Sequence, residues 1–181
     1  SFARHRLVAE WTATQNVASN QSTVTVKVFL QSVDDYGAMS APASNAGSVK
    51  VGTTTKNFTA TSQLSANQKK QLTSQSFVVS HNADGTASFN YSVTYDINVT
   101  FAGVFYGNQT VSGSRTLNTI PRASSIASIV GNQIGGNVTV NITRASSSFK
   151  HIVKYTNTAG NVVTVGENVD TSKTFTISMN D

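Results

Sequence analysis

The sequence predicts an all-β protein in two parts: an N-terminal β-sandwich of jelly-roll type over residues 1–119, then an immunoglobulin-like β-sandwich module over residues 120–181. Composition, alternating hydrophobicity and closely spaced turn residues support this prediction. Ser, Thr and Asn account for 65 of the 181 residues, and Val and Ile number 30 against only 5 Leu. β-Branched residues favour strands, while Ser, Thr and Asn favour turns over helix interiors. The composition therefore excludes a helical bundle or a coiled coil.

Apolar and polar residues alternate along most of the first domain, as in half-buried strands. The first predicted strand carries Leu7, Ala9, Trp11 and Ala13 on one face, and further alternating runs lie at 24–30, 48–60, 77–80, 87–95, 97–105 and 111–117. Asp84-Gly85 predicts a hairpin between two of these runs, because glycine accepts the positive φ of a tight turn. In the sixth run Ile97, Val99, Phe101 and Phe105 are expected to share the inward face.

Two segments interrupt this pattern. Residues 64–72 (LSANQKKQL) are predicted to form a short helical turn with Ser65 as its N-cap. Pro121, followed by small polar residues, predicts the boundary between the domains. Beyond it, glycine-separated runs at 126–130, 138–142, 150–155, 162–165 and 174–179 are spaced as in an immunoglobulin-like sandwich. Because the chain stops shortly after the last run, this module is expected to be incomplete here or to continue in a longer parent protein.

Several classes of function are excluded by what the sequence lacks. It contains no Cys, so it has no disulfide, thiolate zinc site or cysteine nucleophile. No apolar run approaches the roughly 18 residues of a membrane span. The net charge of +5 reflects scarce acids, 13 Lys and Arg against 8 Asp and Glu. Since no basic stripe with interleaved aromatics is present, no nucleic acid partner is expected.

The ionisable residues do not predict an enzyme, a metal site or a cofactor. The three histidines are His5, His81 and His151, and no Gly-x-Ser-x-Gly motif accompanies them. His81 lies beside Asp84 in a predicted turn, and His151 alternates with apolar residues on a half-buried face. Asp34 and Asp35 would point apart in an extended chain. These residues are therefore interpreted as structural or as parts of loops.

Carbohydrate binding is the ligand chemistry that the residues favour. Such sites combine an exposed aromatic ring with hydrogen-bonding side chains. Tyr36 follows Asp34-Asp35 in a predicted loop, and Tyr106 is predicted to lie opposite the inward face of its run, close to Asn108. Trp11 shares its face with apolar residues and is expected to pack in the core. The candidate ligand-binding residues are therefore Tyr36, Tyr106 and Asn108.

A set of segments, in this order, resembles tail proteins of siphophages that infect Gram-positive bacteria. After Trp11 these are QNVASNQSTVTV at 15–26, SANQKK at 65–70, VSHNADGT at 79–86, a Phe-Tyr-Gly step ending at Gly107, NTIPRASS at 118–125 and ITRASSSFKH at 142–151. The resemblance spans nearly the whole chain. Each segment is common alone, but the ordered set is specific.

The resemblance implies a structural, baseplate or tail-fibre protein that serves host attachment, in the phage tail and exposed to the host surface. Its implied partners are other phage tail proteins and a bacterial cell-wall polysaccharide, with no membrane partner. A homo-oligomer is compatible with the resemblance, although no heptad or repeated interface pattern is present. Two alternatives stay open: a spacer module without a ligand, and an accessory domain of a cell-wall-degrading enzyme.

Overall fold

The computed structural model describes residues 4–101, 103–122, 124–144, 146–147 and 149–178. The described residues form strands and turns without a helix, which confirms the all-β prediction. The strands are β1 (His5–Asn16), β2 (Gln21–Ser32), β3 (Ser44–Val51), β4 (Thr54–Thr61), β5 (Lys69–Ser80), β6 (Ser88–Phe101), β7 (Val104–Thr116), β8 (Ser125–Val130), β9 (Asn137–Thr143), β10 (His151–Thr156), β11 (Val162–Val169) and β12 (Ser172–Thr176). The run predicted at 174–179 ends at Thr176, and Met179 lies outside the described residues.

The strands belong to two compact units. Unit 1 comprises Ser1–Asn82 and Thr86–Thr119, and unit 2 comprises Ala83–Gly85 and Ile120–Asp181. Unit 1 contains β1 to β7 and unit 2 contains β8 to β12. Among the described residues, unit 1 contains two apolar clusters and unit 2 contains one.

Unit 1 consists of two antiparallel sheets that share one core. One sheet has the order β1-β2-β5 and the other the order β4-β3-β6-β7. Immunoglobulin-related sandwiches likewise place their A, B and E strands in one sheet and C, F and G in the other, with C′ added beside C. The jelly-roll arrangement predicted for this domain, with eight strands in two Greek keys, is therefore not the connectivity of the seven strands described.

The core of unit 1 is formed by alternate residues of both sheets. Val24, Val26 and Val28 of β2 are at most 1% exposed and pack with residues from β3, β5 and β6. Trp11 packs against this cluster as predicted, with its ring edge-on to Phe89 at a centroid distance of 5.4 Å. Period-two alternation thus places β-branched side chains between the sheets, where burial of apolar surface stabilises the fold.

Two predictions about local structure in unit 1 are wrong. Residues 64–72 form no helix: Gln68 N donates to Ser65 O in a tight turn, and β5 begins at Lys69. The run predicted at 48–60 is a hairpin of β3 and β4, which turns at Gly52 with φ of 57°. At residues 69–71 pairing with β2 outweighs the local helical preference, whereas at Gly52 the positive φ of glycine turns the chain between two strands.

The turn at Asp84-Gly85 has the predicted backbone but not the predicted partners. Gly85 takes φ of 84°, as expected for the glycine of a tight turn. However, β5 pairs with β2 while β6 pairs with β3 and β7, so the turn connects two different sheets. The Asp-Gly signal specifies a reversal of the chain, and it does not specify which strands then form hydrogen bonds.

A second core cluster lies at the end of unit 1 where β2 finishes. Leu30, Met39, Leu64, Tyr95 and Ile97 form it, and all are at most 4% exposed. The Tyr95 hydroxyl donates to Ala60 O over 2.9 Å and lies 3.0 Å from Ser62 Oγ. Ser62 and Asn45, which are also buried, both donate to Ile97 O. Every hydrogen bond of this network joins elements that are distant in sequence, so the network fixes their register.

Replacing Tyr95 with phenylalanine tests this network. Burial raises the pKa of Tyr95 above 10.0. The unfolded chain therefore releases this proton first, and the free energy of unfolding falls as the pH rises above about 10. We expect Tyr95→Phe to lower that free energy by about 1–2 kcal/mol at neutral pH through its lost hydrogen bonds. We also expect the free energy of unfolding to decline less steeply at alkaline pH in Tyr95→Phe than in the unaltered protein. Urea titrations at pH 7 to 11 would measure this difference. An equal decline in both proteins would contradict the role given to Tyr95.

Unit 2 is a smaller pair of antiparallel sheets. Its three-stranded sheet has the order β12-β9-β8, and its two-stranded sheet pairs β10 with β11. The cluster between them centres on Val140, Val153 and Val169, which remain 7–8% exposed. His151 is half-buried as predicted: its Nδ1 lies 3.0 Å from Val169 O, and its Nε2 lies 2.9 Å from Ser124 Oγ.

Candidate functional site

The loop between β2 and β3 holds Tyr36 in an open position. The amide of Tyr36 donates to Asp34 Oδ1 over 3.0 Å, and Arg4 Nη1 donates to Asp34 Oδ2 over 2.8 Å. The Arg4 guanidinium also lies over the Tyr36 ring, 5.3 Å from its centroid. The tyrosine nevertheless remains 77% exposed. Its ring is therefore positioned by two neighbours and still accessible to a ligand.

His5 connects this loop with the β6–β7 hairpin. Its Nε2 lies 2.8 Å from Gly37 O, and its ring meets the Phe101 ring edge-on at a centroid distance of 5.1 Å. Gly37 approaches β2 so closely that a Cβ there would lie 2.1 Å from Ser32 Oγ. A Cβ there would also lie 3.3 Å from Arg4 O, so a larger residue would require the Ser32 side chain or the loop to shift.

Exposed apolar side chains of the β6–β7 hairpin lie at the same end of unit 1. Phe101 pairs with Val104 across the turn, and Val104 and Phe105 are 53% and 64% exposed. We call Arg4, Tyr36, Val104 and Phe105 together the loop end. Exposed apolar and aromatic side chains at this end of unit 1 are candidate contacts for a partner.

The structure does not bring the three predicted site residues together. Tyr36 belongs to the loop end, whereas Tyr106 is half-buried and packs against the second core cluster. A register shift separates Tyr106 from Asn108: Asp96 pairs with Asn108, but Val99 pairs with Tyr106. One extra residue in β6 thus changes which residues of β7 face the core.

The same shift explains why the sequence did not reveal Phe105. Simple alternation placed Phe105 inward and Tyr106 outward, and the structure reverses both. Asn98, which takes φ of 48° beside the shift, is the signal that could have indicated it. Asparagine tolerates this left-handed backbone better than most residues, and an Asn within an apolar run is compatible with a bulge.

Asn108 lies on the outer face of the four-stranded sheet, beside a shallow cavity of about 590 Å³. Small and polar residues form most of its lining: Ala46, Ser48, Asn57, Thr59, Thr94 and Asn108. Their hydroxyl and amide groups could hydrogen-bond a sugar. Phe58 also lines this cavity, but its ring stacks on buried Tyr95 at a centroid distance of 5.8 Å. The outer face is therefore a second candidate surface, without an exposed aromatic platform.

The ionisable groups near the loop end have separate partners. Asp34 pairs with Arg4, and Asp35 accepts a hydrogen bond from Asn67 Nδ2. Within the described ranges, no three His, Asp or Glu side chains are grouped closely enough to hold a metal ion. The described part of the chain also has no helix with the length and apolarity that a membrane span needs. The loop end thus offers aromatic contact and hydrogen bonding.

Comparison with known proteins gives the chain a family. A family model described as "Siphovirus protein of unknown function (DUF859)" matches residues 4–181. The chain belongs to this family. No curated protein and no solved structure matches it. Membership confirms the expected siphophage protein and indicates a structural role as a virion component.

Proposed function

We propose that this siphovirus protein is a tail component that contributes to host attachment by non-catalytic binding of cell-wall carbohydrate at the loop end. The observation that carries this proposal is the exposed Tyr36 ring, which Arg4 and Asp34 hold in place at the same end as exposed Phe105. Sugar rings have apolar faces that stack on aromatic side chains and hydroxyl edges that accept and donate hydrogen bonds. Arg4, Asp34 and Asp35 would supply those hydrogen bonds.

The setting in a phage particle adds to this proposal. Weak binding of each sugar suffices when many copies of a protein engage one surface, because avidity multiplies their affinities. A cell wall presents its polysaccharide as a dense repeat, which is the kind of ligand that favours multivalency. The proposed partners are thus the wall polysaccharide of a Gram-positive host and neighbouring tail proteins, with the loop end exposed to the host surface.

A spacer module without a ligand is the second candidate function. Both units are β-sheet structures with the same order of their first strands, β1-β2-β5 in one and β8-β9-β12 in the other. Repeated sheet modules can set length and orientation without binding anything. This alternative predicts no retention on host wall material.

The experiment measures retention of the chain on purified wall polysaccharide of host bacteria. We expect the double variant Tyr36→Ala/Phe105→Ala to reduce retention about tenfold, since two aromatic contacts contribute roughly 1–3 kcal/mol. Val78→Ser is the matched control, because Val78 lies on β5 and is 66% exposed. Asn108→Ala probes the outer face in the same assay.

Each result distinguishes the candidate functions. Loss in the double variant together with normal retention of Val78→Ser and Asn108→Ala supports the loop end. If only Asn108→Ala loses retention, the binding site lies on the outer face, and the proposal of a site at the loop end is contradicted. No retention of the unaltered chain would favour the spacer. Release of new reducing ends from the polysaccharide would contradict the proposal that the protein is not an enzyme.

A further inference from the structure

Another cavity of unit 1 adjoins the loop that carries Tyr36. Its volume is about 480 Å³, which falls within the range of about 300–1,000 Å³ of small-molecule sites. Ser40 lines it from the loop after β2, and Gln63 lines it from the loop after β4. Ala38 also lines it and follows Tyr36 by two residues, so the Cα atoms of these two residues are at most about 7 Å apart. An extended ligand can thus contact both the tyrosine and the cavity.

Hydrogen bonds fix the two walls of the cavity relative to each other. Met39 N donates to Leu64 O over 2.8 Å, and Leu64 N donates to Met39 O over 3.0 Å. Asn67 N donates to Asp34 O over 3.2 Å, and Asn67 Nδ2 donates to Asp35 Oδ1. The loops after β2 and β4 are therefore held together without a ligand. A preformed cavity avoids the cost of ordering its walls on binding.

The lining combines an apolar floor with accessible hydrogen-bonding groups. Met39 and Leu64 are 4% and 3% exposed and belong to the second core cluster. Ser40 and Gln63 are exposed, and within the described ranges neither the Ser40 hydroxyl nor the Gln63 side-chain amide hydrogen-bonds to another residue. A hydroxyl and an amide can each donate and accept. The cavity thus matches a sugar ring, which has an apolar carbon face and a hydroxyl edge.

Lys70 brings a positive charge to the lining, but its ammonium group is fully used by the protein. Nζ donates to Thr61 O, Thr61 Oγ1 and Gln63 O over 2.6 to 3.0 Å. Since an ammonium group has three protons, none is left for a ligand. Asp35 of the adjoining loop carries the opposite charge and offsets that of Lys70. Hydrogen bonding to a ligand therefore falls to neutral groups, which favours an uncharged ligand.

We propose, on the basis of the proposed function, that this cavity is a second sugar subsite beside the loop end and that the ligand is an uncharged oligosaccharide of at least two units. One unit stacks on Tyr36 and the next occupies the cavity. There Ser40 and Gln63 hydrogen-bond to its hydroxyl groups, while its carbon face lies on Met39 and Leu64. Two adjacent subsites select a chain of sugars over a single sugar.

Competition by fragments of graded length tests this proposal. Partial acid hydrolysis of the host wall polysaccharide gives mono- and disaccharides, and anion exchange separates neutral from anionic fragments. Each fraction is used to displace the chain from immobilised polysaccharide, with the unaltered chain, Ser40→Ala and Gln63→Ala. Gln63→Ala keeps the bond to Lys70, because Lys70 binds the backbone oxygen of Gln63. Gln71→Ala is the matched control, since Gln71 is exposed on β5 and lies outside the lining.

We expect the neutral disaccharide to displace the unaltered chain at about one tenth of the concentration that the monosaccharide needs, through the hydrogen bonds in the cavity. Ser40→Ala and Gln63→Ala should each reduce this gain to about threefold and leave displacement by the monosaccharide unchanged. Gln71→Ala should keep the full gain.

Three results would overturn the second subsite and leave the proposed function standing: equal displacement by the two fragments, an unchanged gain in both cavity variants, or stronger displacement by the anionic disaccharide. No retention of the unaltered chain on the polysaccharide would overturn both.

Discussion

Gly85→Ala is expected to lower the free energy of unfolding by about 2–4 kcal/mol. Gly85 takes φ of 84°, which L side chains rarely adopt. A Cβ at this position would also lie 1.7 Å from the backbone oxygen of Ile120, whose amide donates to Gly85 O over 2.9 Å. Because a backbone atom cannot rotate aside as a side chain can, the alanine would break this contact. Urea denaturation followed by circular dichroism measures the loss.

Gly52→Ala is the control for Gly85→Ala. Gly52 has φ of 57°, but a Cβ there would meet nothing within 4 Å. Gly52→Ala therefore introduces backbone strain without a steric clash, and we expect it to lower the free energy of unfolding by about 1 kcal/mol. If Gly85→Ala destabilises the chain no more than Gly52→Ala, the close approach of Ile120 makes no contribution to stability.

Leu30→Ala is expected to lower the free energy of unfolding of unit 1 by about 2–4 kcal/mol. Leu30 is fully buried in the second core cluster with Met39 and Leu64. These two residues form the isolated bridge between the loops that follow β2 and β4, with N···O distances of 2.8 and 3.0 Å. The cavity left by the leucine would therefore weaken the support of the loop that carries Tyr36.

Trp11, the single tryptophan, lies in unit 1 and reports its unfolding by fluorescence. Val78→Ala is the control, because Val78 is 66% exposed and its loss is expected to cost less than about 0.5 kcal/mol. Faster hydrogen exchange of the Met39 and Leu64 amides in Leu30→Ala would show that the loop loses its support. Exchange at the unaltered rate in a destabilised variant would show that the loop is held independently of the cluster.

The candidate site was only partly predictable for a physical reason. Tyr36 follows two aspartates and precedes a glycine, and this local chemistry suffices to predict an exposed loop residue. Phe105 and Tyr106 depend on a register shift in β6 that alternation within β7 cannot reveal, because the shift changes the pairing between two strands. Asn108 and Tyr106 are neighbours in sequence, yet the shift lies between their pairing positions.

By itself the sequence determined the strand-rich composition, the absence of cysteine chemistry and the inward faces of strands such as β2, where Val24, Val26 and Val28 alternate with polar residues. These properties are local, since each follows from residue type and a period of two. Only the tertiary structure decided that β5 and β6 lie in different sheets, that residues 64–72 form a turn and the start of a strand, and that β10 pairs with β11 alone among the described residues. Those outcomes depend on which distant strands form hydrogen bonds, and alternation specifies the buried face of a strand without specifying its neighbour.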